Sequence, residues 1–239
     1  MVENAAAKRG SRNRTKVADG AAAPATSEVV AQPRILLIAT GKGGSSKTTL
    51  ASSFAAAAAG EGQRVLVVDT DKQRTFSRWF ERRRGELPEF ECRAAPISQA
   101  ADLILGLKGY DIVIIDTPPG LDDFEIETRQ LIGIADFVVV PSGSSIFDTE
   151  SVTEFMSLVD DVGKRGAFVL SKINRRTKQY QVARQRLNQA GTLCPIDVPL
   201  SADFEGVIEL GASVLELKGA RGAEGMAGVW TFVRKELGL

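Results

Sequence analysis

From Ile35 onward, short β-branched runs alternate with longer segments whose apolar residues return every three or four positions. Strands are predicted over Ile35–Thr40, Arg64–Asp69, Asp111–Asp116, Asp136–Pro141 and Gly166–Ser171, with Ile196–Leu200 a further candidate. Each has the unbroken apolar centre that a strand carries when both of its faces are covered. Helices are predicted between them, over Thr48–Ala59, Thr75–Arg84, Ile97–Leu107, Phe124–Ile134, Thr149–Val162 and Thr177–Ala190. Ala and Leu dominate the first, and Gly60 is expected to end it in a left-handed conformation. A last helix over Met226–Leu237 places Met226, Val229, Trp230, Val233 and Leu237 on one stripe. Strands and helices in alternation define an α/β chain, with a doubly wound, mostly parallel sheet covered by helices on both faces.

The first 33 residues break this pattern. They are rich in Ala, Ser, Asn and Pro, have no apolar period, and carry Lys8, Arg9, Arg12, Arg14 and Lys16 against Glu3, Asp19 and Glu28. Residues 1–33 are therefore read as a disordered basic tail and 34–239 as one domain. The tail serves either as a solubilising extension or as a weak electrostatic tether to DNA. It lacks the continuous apolar stretch of a secretory signal. Across all 239 residues 30 Lys and Arg balance 30 Asp and Glu, so the body without the tail is slightly acidic and any polyanion site must be a local patch. No run approaches the ~20 apolar residues that cross a bilayer.

Composition narrows the chemistry further. With no histidine, the chain has no Ser-His-Asp triad and no imidazole metal ligand. Cys92 and Cys194 lie far apart and form no CxxC pair, which suggests neither a zinc site nor a disulfide and fits a reducing cytoplasm. Lys, Asp, Thr and the backbone remain.

Gly41-Lys42-Gly43-Gly44-Ser45-Ser46-Lys47-Thr48-Thr49 lies between the first predicted strand and the first helix. A loop there aims successive N–H groups at one point, and the helix N-terminus adds partial positive charge, so polyphosphate is held without rearrangement. Lys47 is placed to bridge β- and γ-phosphates, and the Thr48 hydroxyl to ligate Mg²⁺. The strict Walker pattern has Gly immediately before that lysine; here it is Ser46, whose Cβ restricts the loop without removing its N–H. Asp69 and Asp71 end the second strand and Asp116 follows Ile112-Val113-Ile114-Ile115 at the end of the next. Carboxyl ends of strands are where doubly wound sheets bind ligands. Asp116 is therefore the candidate to hold Mg²⁺ and Asp71 to orient attacking water, against the plainer reading that each caps a helix. Pro118-Pro119-Gly120 makes a stiff loop able to sense the γ-phosphate.

GKGGSSKTT, VVDTD and IVIIDTPPG together resemble the ParA/MinD family of deviant Walker A ATPases, closest to its ParA-type partition and positioning members, in order from about Arg34 to the C-terminus. The distinguishing residue is the additional lysine, Lys42; by itself it would read as one more exposed lysine. The resemblance implies ATP and Mg²⁺ as ligands, a homodimer when ATP is bound, and Lys42 reaching the neighbour's nucleotide, with Lys42, Lys47 and Asp71 as the catalytic set and slow intrinsic turnover. A second cation would neutralise charge on the transferred phosphoryl group. Ser144 to Thr149 is similar to the loop after the family's fourth strand, and by position Ser171, Lys172 and the Pro199 region approach the base. Ser46 and Lys72, which follows Asp71 where relatives commonly carry proline, depart from the family pattern.

The same resemblance implies a cytoplasmic, nucleoid-associated protein that binds DNA nonspecifically as an ATP dimer. A ParB-like activator on the cargo would stimulate hydrolysis and so segregate or position a plasmid, chromosome region or protein assembly. Arg175, Arg176, Lys178, Arg184 and Arg186 could track phosphates from one helix, or could simply form a solvated face. Asp203, Glu205 and Glu209 stand where many relatives are basic. The alternatives are a MinD-like membrane-associated positioning ATPase, an accessory ATPase of conjugative DNA transfer, and a metabolic P-loop ligase. For the first, Arg234 and Lys235 are few cations on the last helix, which makes membrane attachment the weaker expectation.

Overall fold

Strands that are apolar on both faces must be covered on both sides, and five of the six strands are. A computed structural model describes residues 32–239, so the tail expected over 1–33 lies outside the described residues except for Gln32 and Pro33. The strands are β1 (Arg34–Ile38), β2 (Val65–Asp69), β3 (Glu91–Ala94), β4 (Ile112–Asp116), β5 (Phe137–Ser142) and β6 (Gly166–Leu170). They form one sheet in the order β3-β2-β4-β1-β5-β6, every pair parallel. The register sets Ile38 beside Asp116, and Asp116 beside Asp69, so the acids after β2 and β4 meet at the carboxyl edge.

Alternate strand residues enter two cores. Leu36, Ile38, Val65, Val67, Ile112, Ile114, Phe137 and Val139 pack under α1 (Lys47–Gly60), α2 (Thr75–Phe80), α7 (Asp203–Glu209) and α8 (Ala223–Leu237). Leu37, Leu66, Val68, Val113, Ile115, Val138 and Val140 pack under α3 (Ile97–Leu105), α4 (Glu125–Ile134), α5 (Ile146–Asp161) and α6 (Lys178–Ala190). The small side chains of α1 let it lie flat on the sheet, with Ala51, Ala55 and Ala58 fully buried.

Several boundaries differ from those read in the sequence. Helix α1 runs through Gly60, and the left-handed residue is Gly62 at φ 82°. Helix α2 stops at Phe80 because Arg83 turns inward: its guanidinium meets Glu216 at 2.7 and 3.0 Å, the Gly211 and Pro88 carbonyls at 3.1 and 2.8 Å, and lies over the Trp79 and Phe90 rings. Helix α5 starts at Ile146, three residues early, because Ser145 and Asp148 close a reciprocal capping box. Ile196–Leu200 is not a strand. Pro199 lacks the N–H that a ladder needs, so the stretch makes one isolated bridge, Ile173 to Pro199, with Val198 and Leu200 donating to the Leu170 and Ile173 carbonyls at 2.8 and 3.1 Å. The edge strand β3 and helix α7 were not anticipated; Glu91-Cys92-Arg93-Ala94 has no apolar run, and its charges blunt a sheet edge.

The stripe on α8 faces inward. Met226, Val229, Trp230, Val233 and Leu237 are all buried; Trp230 lies 5.5 Å from the Phe54 ring and donates to Glu61 at 2.9 Å. Each such side chain contributes about 1.5–3 kcal/mol by burial, so peeling the helix away costs on the order of 10 kcal/mol. Among the described residues no helix is long and apolar enough to cross a membrane.

Candidate phosphate-binding site

The glycine-rich loop occupies the turn from β1 into α1, at the carboxyl edge of the sheet. Gly41 accepts the Gly120 N–H through its carbonyl at 3.0 Å, which ties the loop to the Pro118-Pro119-Gly120 turn after β4. A Cβ on Gly43 would stand 3.5 Å from Pro119, and Gly44 takes φ 72°. Ser46 also takes a left-handed conformation, φ 73°, immediately before the helix. Glycine is the residue for which that geometry is free of cost, so the departure from the Walker pattern lies at a strained position.

Lys47, 7% exposed, points back across the loop and donates to the Lys42 carbonyl at 2.9 Å. Burial lowers its pKa, and Asp116 and Asp71 oppose that shift. The Thr48 hydroxyl donates to Asp116 Oδ2 at 2.7 Å, while Asp116 Oδ1 is buried with no partner. Burial, with Asp69 and Asp71 close by, pushes the Asp116 carboxyl up to about 7 against the pull of Thr48 and Lys47. An orphaned carboxylate oxygen beside a threonine hydroxyl suits a hard divalent cation, so Thr48 and Asp116 fit the magnesium role expected of them. Bound there, Mg²⁺ would neutralise β- and γ-phosphate charge.

Asp71 lines the same cleft of about 250 Å³ as Gly43–Thr49, with Gln73, Thr75, Thr117, Pro119 and Lys172 around it. Its Oδ1 accepts the Gln73 N–H at 2.8 Å. The loop residues Gly43, Gly44, Ser45, Ser46, Lys47, Thr48 and Thr49 thus share one cleft with Asp71, and Thr48 ties Asp116 to it, whereas Gly41 and Lys42 lie outside its lining. Asp69 takes the plainer role: Oδ2 accepts the Ser77 N–H at 2.8 Å and its hydroxyl at 2.6 Å, anchoring the first turn of α2. The other oxygen accepts the Asp71 N–H at 3.1 Å.

Lys42 does not enter this cleft. Its Nζ meets Asp148 at 3.3 Å and lies 5.8 Å from the Phe147 ring centroid. Partial burial pushes the Asp148 carboxyl up, but the Ser145 hydroxyl and Lys42 outweigh it and hold the group below its ordinary value. Phe147 is 71% and Ile146 53% exposed. The tether escaped sequence reading, although Ser145-Ile146-Phe147-Asp148 carries the signature of a capping box. Lys172, expected near the base, donates to the Gly44 carbonyl at 3.2 Å from a left-handed backbone. It is a third cation beside the loop. Burial pushes the Cys92 thiol up to about 12 and the Cys194 thiol up to about 11, which disfavours the thiolate form of both.

The basic positions on and just before α6 are largely engaged within the chain. Arg175 and Arg184 both meet Asp197, at 2.9 and 3.2 Å, and Arg186 meets Glu150 at 3.4 Å. Of the five, Arg176 and Lys178 make no ion pair among the described residues.

A parallel sheet with a glycine-rich loop feeding its first helix defines a P-loop nucleotide-binding protein of α/β type. The CobQ/CobB/MinD/ParA nucleotide binding domain matches residues 36–214, and the chain belongs to that family, whose ParA and MinD branches are ATPases. The chain is 32% identical over 155 residues to maintenance of carboxysome distribution protein A of Gloeobacter kilaueensis, covering 64% of this chain and 70% of the relative. Its fold matches the cell division ATPase MinD of Pyrococcus furiosus with a TM-score of 0.71 at 18% identity, over 84% of this chain and 98% of that one. An ATP complex of a Cyanothece McdA variant matches with a TM-score of 0.70 at 16% identity, over 87% and 97% of the two chains.

Proposed function

We propose that this protein is a Mg²⁺-dependent ATPase of the positioning type, which closes into a homodimer on ATP and binds DNA nonspecifically in that state. A cargo-bound activator of ParB-like role stimulates hydrolysis and releases it. The loop from Gly41 to Thr49 cradles the phosphates, Thr48 and Asp116 hold the metal, and Asp71 orients water. The cavity of about 680 Å³ bounded by Ile173, Asn174, Pro199 and Gly225 has room for the base. One observation supports the dimer above the rest. Lys47 already serves the chain's own cradle, whereas Lys42 stands outside it at the surface, beside exposed Ile146 and Phe147. An ammonium so placed is positioned to serve a second copy, where it would stabilise charge spreading over the phosphoryl group. Catalysis that needs both copies explains slow turnover by the monomer.

A protein assembly is the cargo that draws most support, since the Gloeobacter relative is named for maintaining carboxysome distribution. The membrane-associated alternative loses its anchor, because the apolar face of α8 is spent on the core. The test is light scattering with a nonhydrolysable ATP analogue, paired with phosphate release. The wild type doubles in mass, and Lys42→Ala stays monomeric with turnover reduced by at least tenfold. Unchanged dimerisation and hydrolysis in Lys42→Ala would refute the mechanism.

A further inference from the structure

A slightly acidic body that binds DNA needs a local concentration of uncommitted cations, and three of the five on and just before α6 are spent on acids. Another cluster has not. Lys72, Arg74, Arg78, Arg82 and Arg84 are all exposed around α2, and none makes an ion pair among the described residues. Glu81, Glu86 and Glu89 lie on the same stretch, which remains net positive, and the inward Arg83 is already matched by Glu216. Arg74, Arg78 and Arg82 follow one another at four-residue intervals, while Phe76 and Trp79 between them are buried. We propose that the exposed arginines on and flanking α2, with Arg78 and Arg82 at their centre, form a contact surface for the phosphate backbone of duplex DNA. This rests on the DNA-binding reading above and assigns it residues.

The chemistry selects nucleic acid over a lipid surface. Insertion into a bilayer interface needs apolar side chains beside the cations, and those of α2 are turned into the core. Arginine forks suit phosphate oxygens, and a surface contact of this kind carries no base preference. The location also links binding to the nucleotide. Asp69 holds Ser77 in the first turn of α2 through one oxygen and the Asp71 N–H through the other. Any change at Asp71 that accompanies a bound triphosphate is therefore transmitted to the arginines by a short, hydrogen-bonded connection.

The test is co-sedimentation of the full chain with random duplex DNA, with ATP analogue, over a salt series. It compares wild type, Arg78→Gln/Arg82→Gln, Arg78→Lys/Arg82→Lys and Arg176→Gln/Lys178→Gln. The glutamine pair is expected to weaken binding at least tenfold and to flatten the log–log salt slope by about 2 per protomer, as two lost phosphate contacts require. The lysine pair should restore most of the slope, and the α6 pair should behave as wild type, with nucleotide-driven dimerisation intact throughout. If wild type binds and the glutamine pair keeps its affinity and slope, α2 is not the contact and the DNA reading stands. If wild type fails to bind, both fall. Preferential capture of anionic vesicles through Arg78 and Arg82 would also overturn the assignment.

Discussion

Ser46 shows how one methylene and hydroxyl alter a loop without abolishing it. Its left-handed φ of 73° costs a non-glycine residue about 1–2 kcal/mol. Introducing glycine there returns part of that gain, about 0.5–1 kcal/mol, to the entropy of the unfolded chain. Ser46→Gly is therefore expected to stabilise the nucleotide-free protein by a net ~0.5–1 kcal/mol, read as a raised urea midpoint at unchanged slope. A lowered midpoint would mean that the serine side chain contributes something beyond its backbone geometry. At neighbouring positions the logic is electrostatic. Lys47 and Lys172 both rest on loop carbonyls, so ammonium groups already surround the place where phosphate oxygens would lie.

At the scale of elements, much of the chain was legible before any coordinates. The five β-branched runs became β1, β2, β4, β5 and β6 because continuous apolar stretches have few other ways to be buried. The loop–helix junction and the acids at strand ends were equally plain, since phosphate chemistry demands particular residues in a fixed order. What stayed hidden depends on long-range pairing. Edge strand β3 exists because β2 offers it a partner, not because Glu91–Ala94 favours extension by itself. The Lys42–Asp148 tether spans 106 positions and the Arg83–Glu216 pair 133, and no local pattern announces either. The stripe on α8 was visible, but its destination was settled by α1. Trp230→Ala removes the Phe54 contact and the bond to Glu61, and should cost about 3–5 kcal/mol in chemical denaturation. Retained stability with gained binding to anionic vesicles would instead mean that the helix can leave the core.

Across the whole molecule, the sheet order gathers residues distant in sequence onto one edge: Asp116 ends β4, and the cradle and Asp71 sit on the turns that leave β1 and β2 there. The C-terminal region is locked into the same body. Glu216 receives two bonds from Arg83 and accepts the Ser213 N–H at 2.8 Å, while Trp79 donates to the Ala212 carbonyl at 3.1 Å. Both ionic groups are nearly buried, at 9% and 6% side-chain exposure. Glu216→Ala leaves a desolvated guanidinium without its counterion and should destabilise the protein by about 3–5 kcal/mol in thermal or urea unfolding.

The buried Arg83–Glu216 pair also makes a strut from the segment just after the helix that follows Asp71 to the stretch leading into the final helix. A fluorophore attached near Leu239 would then be a remote gauge of occupancy in the cradle, with no label near the nucleotide itself. By the same token, trimming the chain shortly before Glu216 would remove this strut together with the whole of α8 and its buried stripe.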